Sequence, residues 1–283
     1  MEYIYYPAVS FYGSRTQSTP FSHKICSSES QFYLKEKKEK SLIKMAPIVV
    51  GSLCYQYQAS DVIAPFDMIA GGSKQLLEAI RTYSPDVTDS GIKNAPEFVF
   101  HHIGLSRDLV DLTAGTIIKP TCTVDDCPQL DILLLGGPNP VTFDLDPRYA
   151  EFIRRHVASG KILFTNCTGA FVAAMTGVLD GKNATVNHIE YEWVKQKYPK
   201  VNWSKDKKWV IDGNIWTGSG PVAGMDMMIH WLRENYGEES FKWAALNLDF
   251  EPRDIDGVNV VPFRYDADGK QLFTFVHNYY DSY

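Results

Sequence analysis

One cysteine in this sequence is well placed for covalent chemistry. Residues 162–165 favour a strand, Cys167 follows, and residues 170–175 favour a helix. A strand that turns sharply into a helix through one cysteine is a nucleophile elbow, the thiol counterpart of the serine turn. We therefore predict that Cys167 is a nucleophile. We also expect the N-terminus of the following helix to lower its pKa and favour the thiolate.

An aspartate near the first predicted strand is the candidate acid. Asp61 precedes a helix that we expect to begin near Pro65. A carboxyl group beside a thiolate in a partly dry site is disfavoured as an anion, by desolvation and by the like charge. We predict that Asp61 holds a proton, donates it to sulfur and later passes it to a bound substrate. The alternative is that Asp61 only caps the helix.

The elements that would position these two residues alternate along the chain. Strands are predicted at 48–55, 97–103, 130–138, 162–165 and 181–185, short extended pieces at 109–119, and a hairpin with an Asp-Gly turn at 209–217. Helices are predicted from Pro65 to about 78–81, at 147–158, at 190–198, and at 222–236, where Gly237 would stop the last one. This order predicts an α/β fold, a doubly wound, mostly parallel sheet sandwiched by helices. Ligands bind at the carboxyl ends of the strands in such sheets, where 55–61, 136–139 and 166–169 would meet.

The chain divides by composition into three parts. Residues 1–45 are rich in Tyr, Ser and Thr and end in a charged run, which predicts a loosely ordered extension rather than a secretory signal. Met45 stands directly before the first predicted strand and could be the start of the working protein. We place the main domain at 46–240 and a C-terminal extension, which the pattern leaves unassigned, at 241–283.

Charge and cysteine content exclude several classes of partner. The net charge of −6 and the pI near 5.7 argue against nucleic acid or an anionic membrane as the main partner. No apolar run has the length of a membrane span. The five cysteines suggest no disulfide framework, which fits a reducing cytoplasm. Cys122 and Cys127 lack a matching His/Cys pair, so we expect no metal and no cofactor.

Several motifs, in this order, resemble the DJ-1/PfpI superfamily of class I glutamine amidotransferase-like proteins, over roughly 47–240. The motifs are the acidic residue before the Pro65 helix, Leu-Leu-Leu-Gly-Gly-Pro at 133–138, Asn-Cys-Thr-Gly-Ala-Phe at 166–171, Val-Ile-Asp-Gly-Asn-Ile-Trp-Thr-Gly at 210–218 and Gly-Met-Asp at 224–226. Within it, the cysteine motif and the aspartate near the first strand look most like the isocyanide (isonitrile) hydratase branch and its fungal relatives. The resemblance implies a flavodoxin-like fold, a small-molecule substrate and a homodimer.

The resemblance also implies roles for individual residues. Cys167 would be the nucleophile, Asp61 its acidic partner, and backbone N–H groups near Gly137 and Thr168 the oxyanion donors. Many relatives complete a Cys–His pair with the histidine of an Ala-Thr-Thr-His motif. Here that motif reads Ala-Thr-Val-Asn-His, so Asn187 takes the histidine's place, and His188, shifted by one, is expected on the opposite face of the strand.

Three functions remain open on the sequence. The leading hypothesis is hydration of an isocyanide to an N-substituted formamide through a thioimidate on Cys167, with Asp61 as acid and base. A glyoxalase-type or carbonyl-hydratase enzyme is the second, and it predicts a histidine in contact with Cys167. The third is a non-catalytic redox sensor in which Cys167 is oxidised to the sulfinate.

Overall fold

The computed structural model describes residues 46–260 and the backbone of two short paired strands beyond them. The predicted extension 1–45 lies outside these residues. The strands are β1 (Ile48–Leu53), β2 (Phe98–Gly104), β3 (Val110–Asp111), β4 (Ile117–Ile118), β5 (Cys122–Thr123), β6 (Ile132–Leu135), β7 (Ile162–Asn166), β8 (Asn183–Ala184), β9 (Asn202–Trp203), β10 (Trp209–Asp212), β11 (Ile215–Gly218), β12 (Arg264–Tyr265) and β13 (Gln271–Leu272). The helices are α1 (Ile63–Ala70), α2 (Lys74–Arg81), α3 (Asp89–Asn94), α4 (Pro147–Ala158), α5 (Gly169–Met175), α6 (Tyr191–Lys197) and α7 (Pro221–Asn247). None of the helices within the described residues is long and apolar enough to cross a membrane.

A seven-stranded sheet lies at the centre, in the order β10-β11-β7-β6-β1-β2-β5. Every neighbouring pair is parallel except β10 and β11, which form the predicted antiparallel hairpin around Gly213. All four residues of β6 are buried, and since side chains alternate between faces, both faces of the sheet are covered. The predicted doubly wound, mostly parallel α/β fold is confirmed.

The helix predicted from Pro65 to about Arg81 is in fact two helices, α1 and α2. The break falls at the Gly71-Gly72 pair, and the Ser73 side chain accepts a hydrogen bond from the Leu76 N–H to start α2. A Cβ at Gly72 would lie 2.6 Å from the backbone oxygen of Ser240. The chain therefore breaks where α7 passes too close for any side chain.

The C-terminal helix extends beyond its predicted stop. Gly237 adopts the positive φ of 84° that a helix-ending glycine takes, but the chain resumes a helical course to Asn247. Phe241, Ala244 and Ala245 of this second part are buried in the same hydrophobic core as the sheet. The division of the chain at residue 240 stays a prediction, although the helix runs across it.

Other elements differ from the predictions mainly in length. The strand predicted at 130–138 forms a ladder only at β6, because the Gly137 N–H donates to the carboxyl of Asp61 instead of a neighbouring strand. The strand predicted at 181–185 is reduced to β8. Helix α3 was not predicted, since its Ser90-Gly91 pair is a poor helix former; Thr88 caps it and is held by Glu239.

Candidate active site

The elbow places Cys167 between the end of β7 and the start of α5. Its φ is +55°, in the left-handed region that non-glycine residues seldom adopt, and its N–H donates to the Gly218 oxygen of β11 at 3.1 Å. A Cβ at Gly169 would lie 2.2 Å from the Leu135 oxygen, so α5 can approach β6 only with glycine there. The predicted elbow is confirmed, and the sheet holds its strained turn.

Asp61 lies fully buried in a short 3-10 turn, Ala59–Asp61, between β1 and α1. Its Oδ2 accepts a hydrogen bond from the Gly137 N–H at 2.8 Å, while its Oδ1 is buried with no hydrogen-bond partner. The Asn166 side chain, one residue before the cysteine, donates to the Asp61 backbone oxygen at 2.6 Å. The carboxyl is therefore bound at the tip of β6 and does not cap α1.

Burial raises the pKa values of both groups. Desolvation raises the pKa of Asp61 to about 7, and the hydrogen bond from Gly137 only partly opposes it. Desolvation also raises the pKa of Cys167 to about 11, with further contributions from the charges of Asp61 and Glu190. The prediction that the helix N-terminus would favour the thiolate is therefore wrong: hydrogen bonds from Asn187 and the Thr168 N–H lower the pKa of the thiol, but burial outweighs them.

An amide occupies the position where a catalytic histidine was considered. Asn187 Nδ2 lies 3.1 Å from Cys167 Sγ, and Asn187 Oδ1 accepts the Ile189 N–H at 2.9 Å. Because the oxygen is occupied by an N–H donor, the amide must present its NH2 group to sulfur. His188 is exposed, and no histidine among the described residues forms a hydrogen bond with the thiol. The site has no Cys–His pair.

Gly137 and Thr168 meet Asp61 at the same point. A Cβ at Gly137 would lie 2.4 Å from Thr168 Oγ1 and 3.0 Å from Asp61 Oδ2, so only glycine fits. The Thr168 hydroxyl donates to the Pro138 oxygen at 2.7 Å. Because the Gly137 N–H is already bound to Asp61, it is not free to act as the expected oxyanion donor. In this structure Gly137 holds the carboxyl, and Thr168 holds the loop after β6.

Glu190 is a residue at the site that sequence reasoning missed. It directly precedes α6, three residues after Asn187, and its Oε2 is buried without a hydrogen-bond partner. Its charge reaches the thiol, whose pKa it helps to raise. The sequence signal that could have indicated Glu190 was its position three residues after Asn187. Within residues 46–260, no group of three or more His, Cys, Asp or Glu side chains is arranged to hold a metal ion.

Comparisons with known proteins identify relatives of this chain. Residues 85–234 match the model of the DJ-1/PfpI family. Isonitrile hydratase of Pseudomonas putida is 32% identical over 150 residues, which cover 52% of this chain and 64% of that enzyme. The HTH-type transcriptional regulator GbdR of Pseudomonas aeruginosa is 28% identical over 140 residues, 50% of this chain and 38% of the regulator. The chain thus spans less than two thirds of either relative.

Solved structures agree on the fold. A THiJ/PfpI family protein from Pseudomonas syringae superposes with a TM-score of 0.58 at 20% sequence identity. The superposition covers 76% of this chain and 81% of that protein. At this identity the likeness concerns the fold alone, whereas the curated relatives include both an enzyme and transcriptional regulators.

Proposed function

The chain belongs to the DJ-1/PfpI family, and we propose that it hydrates an isocyanide to an N-substituted formamide, with Cys167 as nucleophile and Asp61 as acid and base. The observation that carries this proposal is the buried carboxyl of Asp61, which has one unpartnered oxygen and a pKa of about 7. The thiol beside it accepts a hydrogen bond from an amide, Asn187, instead of an imidazole. The similarity to isonitrile hydratase supports it.

The thiol keeps its proton over a wide pH range in which the carboxyl is ionised. The pKa of Asp61 is near 7 and that of Cys167 near 11, so between these values the pair carries a single proton, which rests on sulfur. A carboxylate with a pKa near neutrality is well matched to accept that proton and return it, because general acid–base groups work best with a pKa near the operating pH.

The first step is addition of the thiol across the terminal carbon of the isocyanide. Sulfur forms a bond to that carbon while the Asp61 carboxylate accepts the thiol proton, and the proton then passes to the same carbon. The product is a thioimidate, R–N=CH–S, on Cys167. No proton is gained or lost overall, and Asp61 is again a carboxylate.

The second step is attack of water on the thioimidate carbon. Asp61 accepts a proton from the water as the C–O bond forms, and that proton moves to the substrate nitrogen. The C–S bond then breaks, and the hydroxyl proton of the intermediate passes through Asp61 to the sulfur. The formamide R–NH–CHO leaves, and the thiol and the carboxylate are restored.

Three neighbours prepare the pair for this chemistry. Gly137 donates its N–H to Oδ2 of Asp61 and leaves Oδ1 for the shuttled proton. Asn187 donates to Sγ and so stabilises negative charge that develops on sulfur as its proton leaves. The N–H of Thr168 acts in the same sense.

The two alternatives fit the site less well. A glyoxalase-type or carbonyl-hydratase mechanism was expected to place a histidine against Cys167, and Asn187 stands there. A redox sensor favours an accessible thiolate, whereas Cys167 is 7% exposed and its pKa is raised. The homodimer and the cytoplasmic location stay predictions.

The test is incubation of the purified full chain with an alkyl or aryl isocyanide and detection of the formamide by mass spectrometry. The wild type and His188→Ala should form product, and Cys167→Ala and Asp61→Asn should not. Absence of product from the wild type, together with clean sulfinate formation under peroxide, would reject the hydratase in favour of the sensor. An active Asp61→Asn variant would remove the proton shuttle from Asp61.

A further inference from the structure

A second carboxylate lies near the thiol and has no part in the proposed reaction. Glu190 belongs to the turn that follows Asn187, whose amide contacts Cys167 Sγ at 3.1 Å. Its Oε2 has no solvent-accessible surface and no hydrogen-bond partner. The Glu190 side chain as a whole is half-buried, so its carboxylate can still be reached from solvent.

The lysines around α6 do not supply a donor to this oxygen. Lys195 lies over the Tyr191 ring, at 5.8 Å from its centroid, and Lys197 over the Trp193 ring, at 4.7 Å. The Nζ atom of Lys205 lies 3.1 Å from Oε1 of Glu192, a residue of α6. Within the described part of the chain no ion pair to Glu190 occurs, so its negative charge has no cationic partner there.

Apolar surface accompanies this carboxylate. Ile189, the preceding residue of the turn, is 89% exposed, and Trp193, one helical turn later, is 41% exposed. Ile189 is also tied to the site, because its N–H holds the Asn187 amide in place. Apolar surface and a carboxylate therefore lie together on the turn that follows Asn187.

We propose that Glu190 recognises a protonated amine on the substituent of the isocyanide, with Ile189 contacting the carbon chain between the two groups. The inference deepens the proposed function and rests on it for the reaction, while the amine contact can be tested without turnover. An ammonium group would donate a charge-assisted hydrogen bond to this half-buried carboxylate, which has no cationic partner among the described residues.

The first experiment measures binding independently of hydration. Alkylation of Cys167 by iodoacetamide is followed by peptide mass spectrometry, with n-butylammonium or 1-butanol as competitor. In the wild type the amine should slow alkylation about tenfold more than the alcohol at equal concentration, the effect expected for one charge-assisted hydrogen bond. Glu190→Gln should remove the difference, whereas the matched control Glu192→Gln, on the exposed face of α6, should keep it.

The second experiment measures selectivity in turnover. The wild type should prefer 3-aminopropyl isocyanide to the isosteric n-butyl isocyanide about tenfold in kcat/KM, mainly through KM, and Glu190→Gln should lose this preference. Equal protection by amine and alcohol in the wild type, or protection by the amine that survives Glu190→Gln, overturns the inference. Glu190-dependent protection without hydration of either isocyanide supports the amine site and rejects the hydratase.

Discussion

Replacing Asp61 by asparagine should make the folded chain more stable above neutral pH while it abolishes hydration. The carboxyl is fully buried, with one hydrogen bond from Gly137 and one unpartnered oxygen. Asparagine has the same shape, and its side-chain oxygen can accept the Gly137 N–H. It carries no charge at any pH, so the cost of burying a carboxylate disappears.

The magnitude follows from the pKa of Asp61, which burial raises from 3.8 to about 7. The folded state therefore binds the proton more tightly than the unfolded state, and the stability that this binding contributes is complete below about pH 3.8 and is lost as the pH rises through about 7. A shift of about three pKa units corresponds to about 4 kcal/mol at most. The asparagine variant should match the wild type near pH 4 and exceed it by up to about 4 kcal/mol near pH 9.

The assay is urea unfolding of the wild type, Asp61→Asn and the control Asp144→Asn at about pH 5 and about pH 8.5. Asp144 is an exposed residue, so its replacement removes a carboxylate without altering the core. The free energy of unfolding of Asp61→Asn relative to the control should rise between the two pH values. An equal difference at both values would show that Asp61 does not titrate near neutrality in the folded chain, and the proton shuttle would lose its physical basis.

Other changes test neighbouring parts of the structure. Gly137→Ala should lower kcat/KM for an isocyanide about 100-fold, since its Cβ would displace the carboxyl; at Gly220, where a Cβ meets no atom within 4 Å, the same substitution should leave activity near wild type. Arg253→Met should lower the free energy of unfolding, measured by urea unfolding, by about 3–5 kcal/mol. The reason is that the fully buried Asp226 loses its charged partner, which donates two side-chain hydrogen bonds to it at 2.6 and 2.9 Å. Across the pH range, kcat/KM should rise through about pH 7, as the carboxyl of the pair ionises, and fall again near pH 11, as the thiol loses the proton to be shuttled. A rate that is flat across pH 6–8 would contradict the role of the carboxyl as proton acceptor.

The architecture could be predicted because its signals are local. The alternation of apolar runs with helical segments gave the parallel sheet, and the Asp-Gly pair gave the hairpin between β10 and β11. The errors arise where contacts with distant parts of the chain determine where a helix begins or ends. The helix predicted from Pro65 is interrupted at Gly71-Gly72 because α7 packs directly against the pair. Helix α7 continues past Gly237 because Phe241 and its neighbours are buried in the hydrophobic core.

The sequence indicated most residues of the candidate site, but it did not predict their electrostatics. Cys167 and Asp61 were visible because a strand–cysteine–helix turn and a carboxyl before a helix are sequence patterns. The protonation of the thiol was not visible in the sequence. The helix N-terminus is a local feature, whereas the burial that outweighs its effect on the pKa of Cys167 comes from the packing of the sheet. Glu190 was missed for the same reason, since its approach to the thiol depends on the turn after Asn187.

Asparagine at position 187 limits the chemistry of the thiol. An amide 3.1 Å from sulfur can donate a hydrogen bond but cannot take up a proton, so the proton of Cys167 must go elsewhere. Hydrolysis of an amide would need an acid that protonates a departing amine, the task of the histidine in a cysteine protease. Addition to an isocyanide has no departing amine, and it moves one proton from sulfur to carbon. A single buried carboxyl whose pKa lies near 7 is sufficient for that transfer, and Asp61 is such a group.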